Sequence, residues 1–132
     1  MKKGLFTVFV LYMFLQTFGS DYNIAVYTPE QGLSHKTVNC VFRDKKGFLW
    51  IGTTNGLNRF DGNTFRLYFH NERDSNSICS NIIFGIHEDR DGKLWLATNQ
   101  GISYYDPKVE VFKRVQVEGI TSKSASWGLV QD

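Results

Sequence analysis

Much of what usually marks an enzyme or a metalloprotein is scarce here. Two cysteines and three histidines are scattered through 132 residues, with no zinc-ligand spacing, so no metal or other cofactor is expected. Proline occurs only twice, which leaves the turns to the 12 glycines and to Asp and Asn. Beyond residue 19 no segment sustains a helical hydrophobic period, which argues against a helical fold. No nucleophile elbow or similar catalytic motif is visible. Charge of one sign is not in excess either. The first 19 residues hold two of the 15 Lys+Arg and none of the 13 Asp+Glu, leaving 13 of each. The pI of about 8.5 therefore overstates the basicity of the remainder. A nucleic-acid partner would need a basic excess or stripe, and none is expected.

Those first residues are laid out as a secretory signal. Met1–Lys3 is basic, Gly4–Phe18 is almost wholly apolar, and small residues follow. Thr17 and Gly19 suit the −3 and −1 positions, placing cleavage after Gly19. An uncleaved anchor is the alternative, but the apolar run is short of the ~20 residues that span a bilayer. No cysteine follows the run, so a lipid anchor is not expected. Export would permit a Cys40–Cys79 disulfide. Sequence fixes no geometry for it, and two independent half-buried thiols are the expectation.

What the chain does have is a repeat. With Trp50 placed on Trp95, Asp44 falls on Asp89, Gly47 on Gly92, Thr53 on Thr98, Gly56 on Gly101 and Asp61 on Asp106. The shared pattern is D-x-x-G-x-L-W-[IL]-[GA]-T-x-x-G-[LI]-x-x-[FY]-D. Self-similarity at a period of 40–50 residues marks a repeat architecture. Ser126–Asp132 (SWGLVQD) resembles Ile83–Asp89 (IFGIHED), as if a third copy were beginning. The chain is accordingly expected to be the front end of a longer protein.

Within each unit, alternating runs and turn signals predict four short strands. In the first they are Val38–Arg43, Phe48–Thr53, Leu57–Asp61 and Thr64–Phe69. In the second they are Ile82–Glu88, Lys93–Thr98, Ile102–Asp106 and Val111–Val117. Four antiparallel strands with a Gly and aromatic signature per unit describe a β-propeller blade. The expectation is an all-β chain: a signal helix (1–19), a closing strand and linker (20–37), blade 1 (38–77), blade 2 (78–122) and the start of blade 3 (123–132). Asp21–Thr28 alternates as a strand, and Tyr22–Thr28 is expected to be the outermost strand of the last blade, closing the ring.

The run LWIGTTNGLNRFD, preceded by GLSHKTVNCVFRDKKGF, resembles the two-component regulator propeller repeat over Gly32–Asp132. In blade two Leu96-Ala97 replaces Ile-Gly and Ile102 replaces Leu. The resemblance implies the periplasmic sensor region of a Bacteroides-type hybrid two-component histidine kinase. Such a parent is anchored in the inner membrane, is dimeric, and responds to oligosaccharide. The segment itself would be non-catalytic and would need the remaining blades as its partners. A secreted carbohydrate-active propeller enzyme or a structural interaction module are the alternatives; convergent carboxylates or glycan turnover would favour the enzyme.

Trp50 and Trp95 tempt a sugar-stacking role, but their fixed place in each unit predicts inter-blade core. Asp44 and Asp89 are expected to cap turns; they lie one blade apart, whereas acid–base chemistry needs two groups on one substrate. If a ligand binds, the inter-blade connections and the strand two–three turns share one face. That nominates His35, Lys36, Asn55, Arg73, Asn99 and Gln100, polar residues on loops outside the packing pattern.

Overall fold

A computed structural model of the chain describes residues 24–115. The signal segment and the start of the third unit lie outside the described residues. Eight strands form two four-stranded antiparallel sheets, ordered β1-β2-β3-β4 and β5-β6-β7-β8. The first is β1 (Val38–Arg43), β2 (Leu49–Thr53), β3 (Gly56–Phe60) and β4 (Phe65–Tyr68). The second is β5 (Ile83–Glu88), β6 (Leu94–Thr98), β7 (Gly101–Asp106) and β8 (Val111–Val115). The strands fall within a residue or two of the expected ones wherever both are described. The sheets are two blades of a β-propeller.

The turn that opens each unit shows why its motif takes the form it does. Asp44 Oδ1 accepts the Phe48 amide at 2.9 Å, and its other oxygen accepts Trp50 Nε1 at 2.8 Å. Asp89 repeats both bonds, to the Lys93 amide at 2.9 Å and Trp95 Nε1 at 2.8 Å. Gly47 closes the turn at φ 92° and Gly92 at φ 81°, a left-handed conformation that costs other L-residues roughly 1–2 kcal/mol. One aspartate thus shapes the turn and orients the tryptophan that follows. The repeated threonine does similar work at the other end. Thr53 Oγ1 donates to Gly56 O at 2.8 Å and accepts the Asn55 amide at 3.0 Å. Thr98 does the same with Gly101 O and the Gln100 amide.

The core lies between the blades. Trp50 is 1% exposed, stacked on Tyr68 at 5.8 Å and tilted against Tyr105 of blade 2 at 5.2 Å. Leu57, Ile78, Ile83, Leu94, Leu96 and Phe112 complete the cluster. Asn39 Nδ2 donates across the interface to Ile83 O at 2.9 Å. Trp95 lies beside Tyr104 at 5.1 Å. Leu94 and Leu96 point to blade 1, so strand alternation turns Trp95 away from it, as Trp50 turns toward blade 2; the unit that would follow on that side lies outside the described residues.

The blades fit closely at one small pair. A Cβ on Gly52 would fall 2.5 Å from Cys40 Sγ and 2.7 Å from Ile83 Cγ2. Blade 2 has Gly85 and Ala97 at the same two positions, so bulk has moved from one strand to its neighbour. Cys40 and Cys79 are free thiols. Burial pushes the Cys40 thiol up, keeping it protonated. Cys79 Sγ lies 3.1 Å from Thr98 Oγ1.

Each connection runs across the blade it introduces. Residues 69–82 pass from β8 to β5 along the face toward blade 1. Phe112 N donates to Asn76 O, Cys79 N to Ser103 Oγ, and Asn99 N to Ile82 O. Arg114 fastens the outer end: its Nη2 donates to Asn71 O at 2.8 Å, Asp74 O at 2.9 Å and Ser77 Oγ at 2.8 Å. The segment entering blade 1 behaves alike, with Ser34 N on Asn58 Oδ1 at 2.7 Å. The described part of the expected closing strand, Ile24–Thr28, pairs with no strand among the described residues. Tyr27 nonetheless packs on Phe60 at 4.8 Å and Phe65 at 5.5 Å. Tyr68 packs on Tyr105 and Phe112 in the same manner.

Candidate ligand site

The antiparallel register puts the Thr54-Asn55 and Asn99-Gln100 turns and the inter-blade connections at one end of the blades. His35 is half-buried there. Its Nδ1 accepts the Thr37 amide at 3.1 Å, so the Thr54 hydroxyl at 2.7 Å donates to it and the ring proton sits on Nε2. Lys36 and Asn55 beside it are exposed. One blade on, Asn99 Oδ1 accepts the Ser80 hydroxyl, the same contact in repeat register. Gln100 is exposed, held by its amide on Thr98 Oγ1 at 3.2 Å. These five residues therefore form two equivalent groups, one per blade. Arg73 does not join them. Its loop is fastened by Arg114 to β8, the opposite edge of blade 2 from the β5–β6 corner. Three of the six nominated side chains, Lys36, Asn55 and Gln100, are left free of hydrogen bonds on this face.

A concavity lies at the other end, where the sequence nominated nothing. A cleft of about 630 Å³ opens between the β1–β2 turn of blade 1 and the β5–β6 and β7–β8 turns of blade 2. Phe48, Trp50, Leu94 and Tyr105 line its apolar part, and Lys45, Lys46, Arg59, Arg90 and Lys108 supply cations. The Arg59 guanidinium lies 4.6 Å above the Phe48 ring. The two walls are tied together: Lys45 N donates to Glu88 Oε2 at 2.9 Å and Lys45 Nζ to Asp89 O at 3.1 Å. Burial works to raise Asp89, but bonds from Trp95 Nε1 and the Lys93 and Asp91 amides hold its carboxyl below the ordinary range. Between the blades, burial pushes the half-buried Tyr68 up to about 12. Tyr105 is raised for the same reason. Phenols so placed are apolar walls rather than bases.

Nothing in either place assembles a reaction centre. The paired oxygens of Asp44 are committed to Phe48 and Trp50, and no group of three or more His, Cys, Asp or Glu is arranged to hold a metal among the described residues. Among those residues no helix is long and apolar enough to cross a membrane.

Two stacked four-stranded blades with Trp-bearing second strands define the class: a β-propeller of the repeat type. Residues 32–55 and 77–100 each match the two-component regulator propeller model. The chain carries two copies of that repeat. It is 43% identical over 79 residues to histidine kinase P4 of Formosa agariphila, over 57% of this chain and 6% of that protein. The extracellular domain of the putative hybrid two component system BT3049 from B. thetaiotaomicron superposes with a TM-score of 0.67 at 32% identity, over 79% of this chain and 14% of that one. The corresponding domain of the BT4673 system matches with a TM-score of 0.55 at 30% identity, over 70% and 14%. The chain thus spans a small part of the length of the relatives it matches.

Proposed function

We propose that this chain is part of the ligand-sensing propeller region of an exported two-component sensor, and that the ligand is an oligosaccharide. The observation that carries the proposal is the likeness in both fold and sequence to extracellular domains of two-component systems. In this account Met1–Gly19 directs export and is removed. Residues 22–28 pair with the last blade to close the ring, as the packing of Tyr27 on Phe60 and Phe65 suggests. The sensor works as a dimer anchored in the inner membrane. Ligand shifts the balance between two arrangements of the propellers, and can do so only by binding one arrangement more tightly than the other.

The test is phosphorylation of the full-length protein in membrane vesicles, with and without a panel of oligosaccharides. One member of the panel should change the phosphorylation level, and deletion of residues 38–115 should abolish that response. A phosphorylation level indifferent to every oligosaccharide, but moved by an unrelated class of molecule, would sink the choice of ligand. Intact mass of the exported protein should begin at Ser20; retention of Met1 would remove the cleavage step from the account.

A further inference from the structure

We propose that the inter-blade cleft at the β1–β2 end binds an organic acid: a carboxylate carried on a ring. The cleft is distinct from the face nominated by the loops and lies at the opposite end of the strands. Its volume of about 630 Å³ falls within the ~300–1,000 Å³ of small-molecule sites.

The charges decide the sign of the ligand. Four carboxylates line the cleft, and three are engaged. Asp44 accepts from Phe48 N and Trp50 Nε1, Glu88 accepts from Lys45 N, and Glu110 pairs with Arg66 at 3.9 Å on its outer side. Those bonds come largely from neutral amide and indole N–H groups, so the carboxylates keep their charge and face Lys45, Lys46, Arg59, Arg90 and Lys108. Lys46, Arg59, Arg90 and Lys108 are paired with no carboxylate among the described residues. The balance is five cations to four carboxylates, a rim of small positive excess over an apolar floor.

Arg59 gives that rim its geometry. Its guanidinium is stacked 4.6 Å over Phe48 and 5.8 Å from Trp50. Stacking uses the face of the guanidinium and leaves its N–H edge to donate, the arrangement that receives a planar carboxylate in two parallel bonds. Half-buried Phe48, with the buried Leu94 and Tyr105 behind it, forms the apolar side of the cleft next to this group. The pair is partly a feature of the repeat, since blade 2 sets Lys93 over Tyr104 at the same two positions with the cation and the aromatic exchanged. Only in blade 1 does the cation take the Arg59 position, on β3 facing the next blade. The described lining residues all belong to these two blades.

The test is calorimetric titration of the purified full-length protein with two matched pairs: benzoate with neutral benzamide, and glucuronate with neutral glucose. At least one acid should bind, with affinity falling as salt is added, and its neutral twin should bind tenfold or more weakly. Whichever acid binds identifies an aryl or a sugar acid as the source of the carboxylate. Arg59→Gln should weaken that acid about tenfold, and Arg59→Lys should fall between, keeping the charge without the planar fork. Arg90→Gln, on an exposed turn outside the packed core, should also weaken it and guards against misfolding of the Arg59 variant. The proposal is overturned if neither acid binds, if the neutral twins bind equally, or if both arginine variants bind like wild type. Any of these would leave oligosaccharide sensing through another face untouched, because that depends on phosphorylation and not on these probes.

Discussion

Gly52→Ala sets two effects of known size against each other. Gly52 lies inside β2 and has no left-handed φ to protect. Strand entropy alone therefore favours alanine, by roughly 0.5–1 kcal/mol. Packing opposes it. The new methyl would meet Cys40 Sγ at 2.5 Å and Ile83 Cγ2 and Cβ at 2.7 and 2.9 Å, all closer than any relaxed contact. Overfilling a core of this kind costs about 1–3 kcal/mol. The packing term is the larger, so the net should be a destabilisation of about 1–2 kcal/mol. The neighbouring blade shows how the strain can be relieved, since it places Gly85 where blade 1 has Cys40. Cys40→Gly in the Gly52→Ala background should recover part of the loss, leaving the contact with Ile83. The assay is thermal or urea unfolding of the full-length protein, followed by tryptophan fluorescence, on both single variants and the double. A stabilised Gly52→Ala variant would refute the argument, as would single-variant losses that simply add in the double.

Other expectations concern the turns and the loop clasp. Asp44→Ala removes two charge-assisted hydrogen bonds and strands Trp50 Nε1 in the core; it should cost about 2–3 kcal/mol, read as a lowered unfolding midpoint. Asp89→Ala removes the equivalent two bonds, to the Lys93 amide and Trp95 Nε1, and should lower the midpoint in the same direction. Acid should act through Asp89: its carboxyl is held below the ordinary value of about 3.9. Its contribution to stability is therefore complete above that value and disappears as pH falls through the lower folded one. The tryptophan-monitored acid transition should lose that component in Asp89→Ala, and an unchanged transition would contradict it. Arg114→Ala removes the donor that holds three acceptors of the 70–77 loop; limited proteolysis should then cut between Asn71 and Asn76 at least several-fold faster, while far-UV dichroism stays unchanged.

The blade itself was legible in the sequence because its strands, turns and Trp spacing are local and repeat. Asp44, Gly47 and Trp50 each announce a turn or a strand face without help from elsewhere in the chain. The fate of the two tryptophans needed more. Trp50 and Trp95 are equal in the motif, and only the stacking of blade 2 on blade 1 shows which ring closes over Trp50, that of Tyr105 at 5.2 Å. The nominated loop residues divide for a similar reason. His35, Lys36 and Asn55 gather because the register requires it, whereas Arg73 is held aside by Arg114, a residue outside the repeat. Blade 1 has Phe69 where blade 2 has Arg114, so no periodic signal could have revealed the clasp. The cleft was invisible for a third reason. It is made by two turns 45 residues apart in sequence, Lys45 and Arg90, whose proximity depends on how one sheet stacks on the next. A charge balance read along the chain averages that local excess away.

The path of residues 69–82 gives the pair a direction in time. These residues leave the ribosome after β4 and before β5, yet they lie along the surface that β6, β7 and β8 must later cover. Ile78 and Cys79 are in place first, and Ser103, Thr98 and Phe112 arrive to meet them. Blade 2 is thus moulded on a segment already made. An error in that connection should also reach back into the blade that precedes it, through Ile78 in the core shared with Trp50 and Leu57 and through Asn81 O, which accepts the Gly56 amide at 2.7 Å.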